Sequence, residues 1–329
     1  MQIDLRTVAI KPLRQTFDHI AERFGDKAAS RYQEGTYDIQ AVTNFHYRPL
    51  WDKEREQYDP RRTAIKMADW YAFKDPRQYY YGTYTIARAK QQDAAESNFD
   101  MVEERGLADM IPAPLRKLAL EVLVPLRHLE WGGNMNNTYI CAYGYGTAIT
   151  QPALFHGMDH LGIAQYLTRI GLVLGDVAVL DEAKEAWMGD AKWQGLRRYM
   201  EDSFVLDDWF ELFVAQNLVL EGLINPLIFD YLDSEFSAQG GTAVSMMTRF
   251  MGEWYPETVK WVDAQIKVAA AESPENKALV TGWVQDYRGR MIAALAPLAE
   301  HAFGSKAGSV MDEVVTNFNA RCSKLGLAV

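Results

Sequence analysis

Residues 207–236 read DDWFELFVAQNLVLEGLINPLIFDYLDSEF, and this stretch decides the fold. Trp209, Phe210, Leu212, Phe213, Val214, Leu218, Val219, Leu220, Leu223, Ile224, Leu227, Ile228, Phe229, Tyr231 and Leu232 fall on every side of a helix rather than on one stripe. A helix that is apolar all round is buried. At about 1.5 Å per residue such a helix is about 45 Å long, so its surroundings must be a large helical bundle. Pro226 is expected to bend it, and Gln239-Gly240-Gly241 to end it.

Reading outward, the helical pattern continues on both sides. On the C-terminal side Thr242–Tyr255, Glu257–Ala271, Pro274–Phe303 and Gly308–Leu325 are expected helices. On the N-terminal side come Lys192–Ser203, Asp181–Met188, about Ile149 to Gly175, and Leu115 to Tyr143 with a kink at Pro125. The pattern begins at Pro76, where Asp75 is a candidate N-cap with proline at the first helical position. Runs of β-branched residues with period two are absent, and no repeat of 20–50 residues is evident. The fold class is all-α.

Residues 1–75 differ. Only Leu13–Phe24 suggests a short amphipathic helix. Between Tyr32 and Tyr84 stand 13 aromatics in 53 residues, about twice the 12% of the whole chain. Disordered segments lack aromatics. We therefore expect an extended aromatic-rich arm over 1–75 that lies on something, followed by a helical domain over 76–329.

The chain has 329 residues with 34 Lys+Arg against 44 Asp+Glu, a net charge of −10. That balance speaks against binding a nucleic-acid backbone. Cys141 and Cys322 are far apart and form no CxxC pair, as in a reducing cytoplasm. Asp4, Arg6 and Lys11 interrupt the N-terminus before any apolar signal region, so no signal peptide is expected. Trp131 to Met158 contains no Asp, Glu, Lys or Arg, yet its asparagines, Gln151, Pro152 and five glycines suit buried helices better than a membrane span.

Chemistry is scarce. G-x-x-x-x-G-K-[ST], strand-associated G-x-G-x-x-G and G-x-S-x-G are missing. A bundle dimetal site needs a Glu on each of two helices and Glu-x-x-His on each of two others. No Glu here has a His three residues later: Glu121, Glu130, Glu211, Glu221 and Glu300 are followed there by Val124, Gly133, Val214, Ile224 and Phe303. His156 and His160 lie i, i+4 on one helical face, a spacing zinc can use, but the sequence identifies no third ligand. The bland reading is two hydrogen-bonded packing residues. The alternative is an autonomous metalloenzyme built from His156, Asp159, His160 and Glu130. A third reading takes Gly132, Gly133, Gly144 and Gly146 as thinning the bundle for an apolar ligand. His128 beside Glu130 reads as a lone pair, and His19, His46 and His301 stand alone.

Three segments carry a resemblance. Arg62-Thr63-Ala64-Ile65, Asp69-Trp70-Tyr71 and Asp75-Pro76-Arg77-Gln78-Tyr79-Tyr80-Tyr81-Gly82-Thr83-Tyr84 resemble the N-terminal signature of the β subunits of bacterial multicomponent monooxygenases, nearest the phenol hydroxylase and toluene/o-xylene monooxygenase group. Gln216–Leu227 resembles a core helix of the same subunits. The resemblance spans essentially the whole chain.

It implies a ferritin-like helical bundle and a non-catalytic, structural role. The family's hydroxylase is an (αβγ)₂ assembly whose α subunit holds a carboxylate-bridged diiron centre. An NADH-dependent reductase and a small coupling protein are the transient partners. No nucleic acid or membrane partner is implied. No residue of this chain is then expected to be catalytic, to bind a cofactor or to bind metal. Laid on this chain, the family's first Glu-x-x-His window falls on His160-x-x-Ile163 and the second near Phe250-x-x-Glu253. The isolated glutamate positions fall near Gly133 and Leu220, with Glu130 and Glu221 close by. Trp51, Trp70, Tyr71, Phe73, Tyr79, Tyr80, Tyr81 and Arg88 are the candidate subunit interface, since large aromatics and arginine bury well against a partner.

Overall fold

The computed structural model describes residues 13–39 and 48–329. His46 and the arm aromatics Phe45 and Tyr47 lie outside the described residues, as does most of the N-terminal segment read for targeting. Among the described residues the chain is helical with no strand, a ferritin-like bundle as expected.

Two short helices, α1 (Asp18–Phe24) and α2 (Arg31–Thr36), precede the bundle. The bundle comprises α3 (Tyr81–Glu104), α4 (Ala113–Tyr143), α5 (Thr147–Leu174), α6 (Ala178–Gly189) and α7 (Ala191–Ser203). It continues with α8 (Trp209–Ala238), α9 (Thr242–Glu272), α10 (Pro274–Phe303) and α11 (Ala307–Lys324). The all-apolar stretch is α8, and from Trp209 to Asn225 every residue except Glu211 is buried. Asp208 caps it, accepting from the backbone N–H of Phe210 at 2.8 Å and Glu211 at 3.0 Å. Helices α4, α9, α10 and α11 pack around it, and α4 and α5 form the most extensive helix pair. Of the described helices, α8 alone is long and apolar enough to cross a membrane, and 94% of its most apolar window is buried by the rest of the chain.

Two features of α8 place its polar side chains. Its turns are widened to π-helix over Val214–Leu220 and Pro226–Leu232. Such turns re-phase a helix and often occur at functional sites. Here Gln216, Asn217 and Glu221 all face α4 and α5. Asn136 donates to Gln216 Oε1 at 2.9 Å, and Asn137 and Asn217 exchange hydrogen bonds at 3.0 and 2.9 Å. Buried amides satisfied pairwise fix the register of α4 against α8.

Three expectations are corrected. Asp75 does not cap a helix at Pro76. Its carboxylate is occupied by Arg77, accepting from the backbone N–H and from the guanidinium, both at 2.9 Å. Helix α3 begins instead at Tyr81, where the Tyr80 backbone N–H donates to Thr83 Oγ1. The two helices expected on either side of Pro256 are one, α9, because Trp254, Thr258 and Trp261 on both sides of the proline are buried together. The arm is also less extended than expected. Ile20, Tyr32 and Tyr37 make a small core of their own, while Ile65 and Phe73 enter the main one. Its backbone is tied down by bundle side chains: Asp208 accepts from Ala64 N at 2.6 Å, Glu272 from Ala68 N at 2.7 Å and Asn276 from Lys66 N at 3.1 Å.

Candidate functional site: a buried histidine–carboxylate cluster

Helix α5 carries His156 and His160 one turn apart, and both face α4 and α8. The Glu221 carboxylate of α8 reaches both rings. His156 Nε2 stands 2.9 Å from its Oε1 and 3.1 Å from its Oε2, and His160 Nε2 is 3.1 Å from Oε1. On the other edge of the His160 ring, Nδ1 is 2.6 Å from Glu130 Oε2 of α4. All four side chains are buried. Gln216 Nε2 donates a further bond to Glu221 at 3.3 Å.

Burial opposes a charge on His160, but Glu130 and Glu221 together outweigh it and push its pKa up to about 10. Burial likewise opposes the Glu221 carboxylate, yet the two histidines win and hold it down at about 2. His156 goes the other way: burial prevails over Glu221 and lowers its pKa. Its Nδ1 is buried without a hydrogen-bond partner. Trp254 of α9 stacks on the His156 ring with centroids 5.0 Å apart, and Trp261 lies 5.2 Å away.

The side chain that the sequence did not bring to the two histidines is Glu221. The signal was present, since Glu221 is the only charged residue between Leu212 and Phe229. A charge in the middle of an all-apolar helix must have a buried partner. Glu130 turns to His160 rather than to His128, which stacks on Trp187 at 5.9 Å. Asp159 leaves the cluster of the alternative reading. It accepts from Arg88 Nε and Nη2, both at 2.7 Å, from Tyr84 Oη at 2.8 Å and from Trp254 Nε1 at 2.9 Å.

A dimetal centre does not fit these residues. A Cβ on Gly133 would come within 2.8 Å of the His160 ring, so no side chain can enter there. Across from His156, α9 presents two tryptophans where a second metal would need a carboxylate and an imidazole. The ligand-pocket reading of the glycines fails for the same steric reason. A Cβ on Gly132 would strike Met200 Sδ at 2.4 Å, and one on Gly144 the backbone of Ile140 at 2.5 Å. Gly132 permits a close approach of α7 to α4, and Gly144 a tight end to α4 itself.

The candidate interface residues divide. Phe73 is buried in this chain's own core and has no area left for a partner. Arg88 is taken by Asp159 and Glu257 inside the bundle, so its charge is already matched. Both expectations are corrected. Trp70, Tyr71, Tyr79 and Tyr80 are half-buried. Trp70 lies 5.9 Å from Trp209, and Tyr79 Oη donates to Glu257 at 2.8 Å. Trp51 and Tyr81 stay open, at 59% and 73% exposure. Outside that set, Trp131 and Met135 of α4 and Leu154, Met158 and Leu161 of α5 are exposed along the solvent side of the α4–α5 pair.

Residues 51–273 match the sequence profile of the Methane/Phenol/Alkene Hydroxylase family. The chain is 49% identical to the phenol 2-monooxygenase oxygenase component DmpL of Pseudomonas sp. (strain CF600), over 99% of this chain and 98% of that one. It is 27% identical to the hydroxylase component subunit beta of the toluene-4-monooxygenase system of Ectopseudomonas mendocina, over 89% of each. Among solved structures, phenol hydroxylase from Pseudomonas sp. OX1 superposes with a TM-score of 0.93 at 45% identity, over 99% of both chains.

Proposed function

The chain belongs to the Methane/Phenol/Alkene Hydroxylase family, and on that premise we propose that it is the β subunit of the oxygenase component of a phenol-type aromatic monooxygenase. Its role is structural. It supports a catalytic α subunit that holds the diiron centre, together with a small γ subunit, in an (αβγ)₂ hydroxylase of the cytoplasm. The reductase and the coupling protein engage that assembly transiently. No redox cofactor is assigned to this chain.

The observation that supports this reading most is the sealed centre of the bundle. The space a dimetal centre would use is closed by the His160 ring against Gly133 and by Trp254 and Trp261 against His156. A subunit that instead works by contact needs an adhesive surface. The apolar row Trp131, Met135, Leu154, Met158 and Leu161 supplies one, because exposed patches of this kind mark interaction sites.

The test is reconstitution. The chain is purified alone and with its co-expressed α and γ partners, and iron content and NADH-dependent phenol oxidation are measured for each. The chain alone is expected to be inactive and free of a diiron centre, with activity appearing only in the assembly. A chain that alone carries two irons and oxidises phenol refutes the reading.

A further inference from the structure

Three ring nitrogens of the buried cluster meet carboxylates, one more than two neutral histidines can serve. We propose that the cluster is a proton-dependent clasp, in which one extra proton is trapped on His160 and the resulting imidazolium ties α4, α5 and α8 together. The extra proton rests on the cluster's geometry. Its consequence for assembly rests also on the chain being a β subunit.

A carboxylate accepts hydrogen bonds and donates none, and a neutral imidazole carries one N–H. His156 Nε2 lies 2.9 Å from Glu221 and its Nδ1 has no partner, so its single N–H belongs on Nε2. His160 meets a carboxylate with both nitrogens, Nδ1 at 2.6 Å from Glu130 and Nε2 at 3.1 Å from Glu221. With one N–H that ring would turn a bare lone pair toward one of the two carboxylates. With two it donates to both, and charge-assisted bonds of this kind are the strong ones. The imidazolium also offsets one of two buried negative charges, which are costly when unpaired. Among the described residues the neighbouring charges are committed elsewhere. Arg88 of α3 is held by Asp159, the acid between the two histidines on α5. Helix α9 brings Trp254 and Trp261, and Tyr255, whose hydroxyl accepts from Arg321 of α11, itself paired with Asp263. Gln216 of α8 is neutral and donates to Glu221.

The clasp lies beneath the apolar row. Glu130 precedes Trp131 on α4, and His156 and His160 flank Met158 on α5. The bond from the His160 ring to Glu130 therefore fixes how the two halves of the row stand to each other. The proton makes that fixture sensitive to pH. The folded cluster keeps it up to about 10, whereas an unfolded histidine releases it near 6.5. The stability it confers is complete below 6.5 and is lost as the pH rises toward 10. His156 and Glu221 are both shifted downward and act at lower pH, below 6.5 and 4.5 respectively.

The full-length protein, assembled with its partners where solubility requires them, is prepared with ¹⁵N-histidine in this chain. At pH 8.5 solid-state NMR should show an imidazolium that is absent from His160→Gln. Its absence from the wild type overturns the proposal. In urea melts the unfolding constant of the wild type should rise about 25-fold between pH 7 and 8.5, beyond any change in His160→Gln, because one released proton shifts it close to tenfold per pH unit. Equal pH dependence in the two proteins also overturns it. Glu130→Gln keeps the side-chain shape, and its imidazolium should deprotonate at lower pH than the wild type's. That shift carries the test should His160→Gln fail to fold, and an unchanged titration denies the bond to Glu130. For assembly, His160→Gln should capture less of the co-expressed partners at pH 7 than the wild type does, and equal capture separates the clasp from the row. A wild type that captures no partner counts instead against the subunit assignment and leaves the NMR result standing.

Discussion

Substituting Arg88 by Met separates an internal electrostatic role from an interfacial one. In the folded chain the Arg88 side chain is 12% exposed and its guanidinium bridges Asp159 and Glu257. The two carboxylates differ in what they lose. Glu257 is 23% exposed and keeps the Tyr79 hydroxyl, so water and that donor can replace Arg88 at small cost. Asp159 is 2% exposed and would retain only Tyr84 and Trp254, two neutral donors, around a full charge. Breaking a buried pair by removing one partner costs about 3–5 kcal/mol. The two surviving donors place Arg88→Met near the low end, about 3 kcal/mol. With a urea slope of about 3 kcal/mol/M for a chain of this size, the denaturation midpoint followed by tryptophan fluorescence should fall by about 1 M. Adding Asp159→Asn should recover part of the loss, because the stranded charge is then gone. A destabilisation below about 1 kcal/mol, the range of a surface pair, would refute the reasoning. So would an unchanged midpoint accompanied by failed assembly, which would return Arg88 to the interface.

Gly133→Ala should destabilise the chain, since its Cβ would stand 2.8 Å from a His160 ring pinned by two carboxylates, and overpacking costs about 1–3 kcal/mol against a helix-propensity gain of about 1. Gly162→Ala on α5 meets nothing within 4 Å and should be neutral to stabilising in the same melt; equal effects would show that the ring yields. Asn217→Leu strands the Asn137 amide oxygen and should cost about 1–3 kcal/mol, while the Asn137→Leu/Asn217→Leu pair should cost less than the sum of the single changes; strict additivity would deny the amide pair. His128 should titrate near 4 by NMR because burial lowers its pKa from 6.5. The unfolded chain takes up that proton first as pH falls, so stability should decline between 6.5 and 4 and level off below; a pKa of 6.5 in the folded chain would remove this contribution.

Helix positions were legible because burial acts on local periodicity. Leu115–Tyr143 and Pro274–Phe303 could be read nearly to the residue, since their apolar positions repeat along one chain segment. Local signals misled where tertiary contacts outweighed them. Pro256 reads as a break, yet the buried faces on either side of it hold one helix. Asp75 reads as a cap, yet Arg77 claims its carboxylate.

For the candidate site, His156 and His160 were legible as a pair because they are one turn apart. It could not pair them with Glu221, 61 residues beyond His160, or with Glu130, 30 residues before it. By itself the sequence determined that this is an all-α bundle around one apolar helix, and that no Glu-x-x-His pair exists to build a dimetal centre. Composition and spacing suffice for both. Only the tertiary structure decided which polar side chains meet. The widened turns of α8 set the phase of Glu221, and the missing Cβ of Gly133 lets α5 approach α4 closely enough for Glu130 to reach His160. It also assigned the aromatics, because whether a tryptophan such as Trp51 or Trp254 faces water or a histidine depends on neighbours far away in the chain.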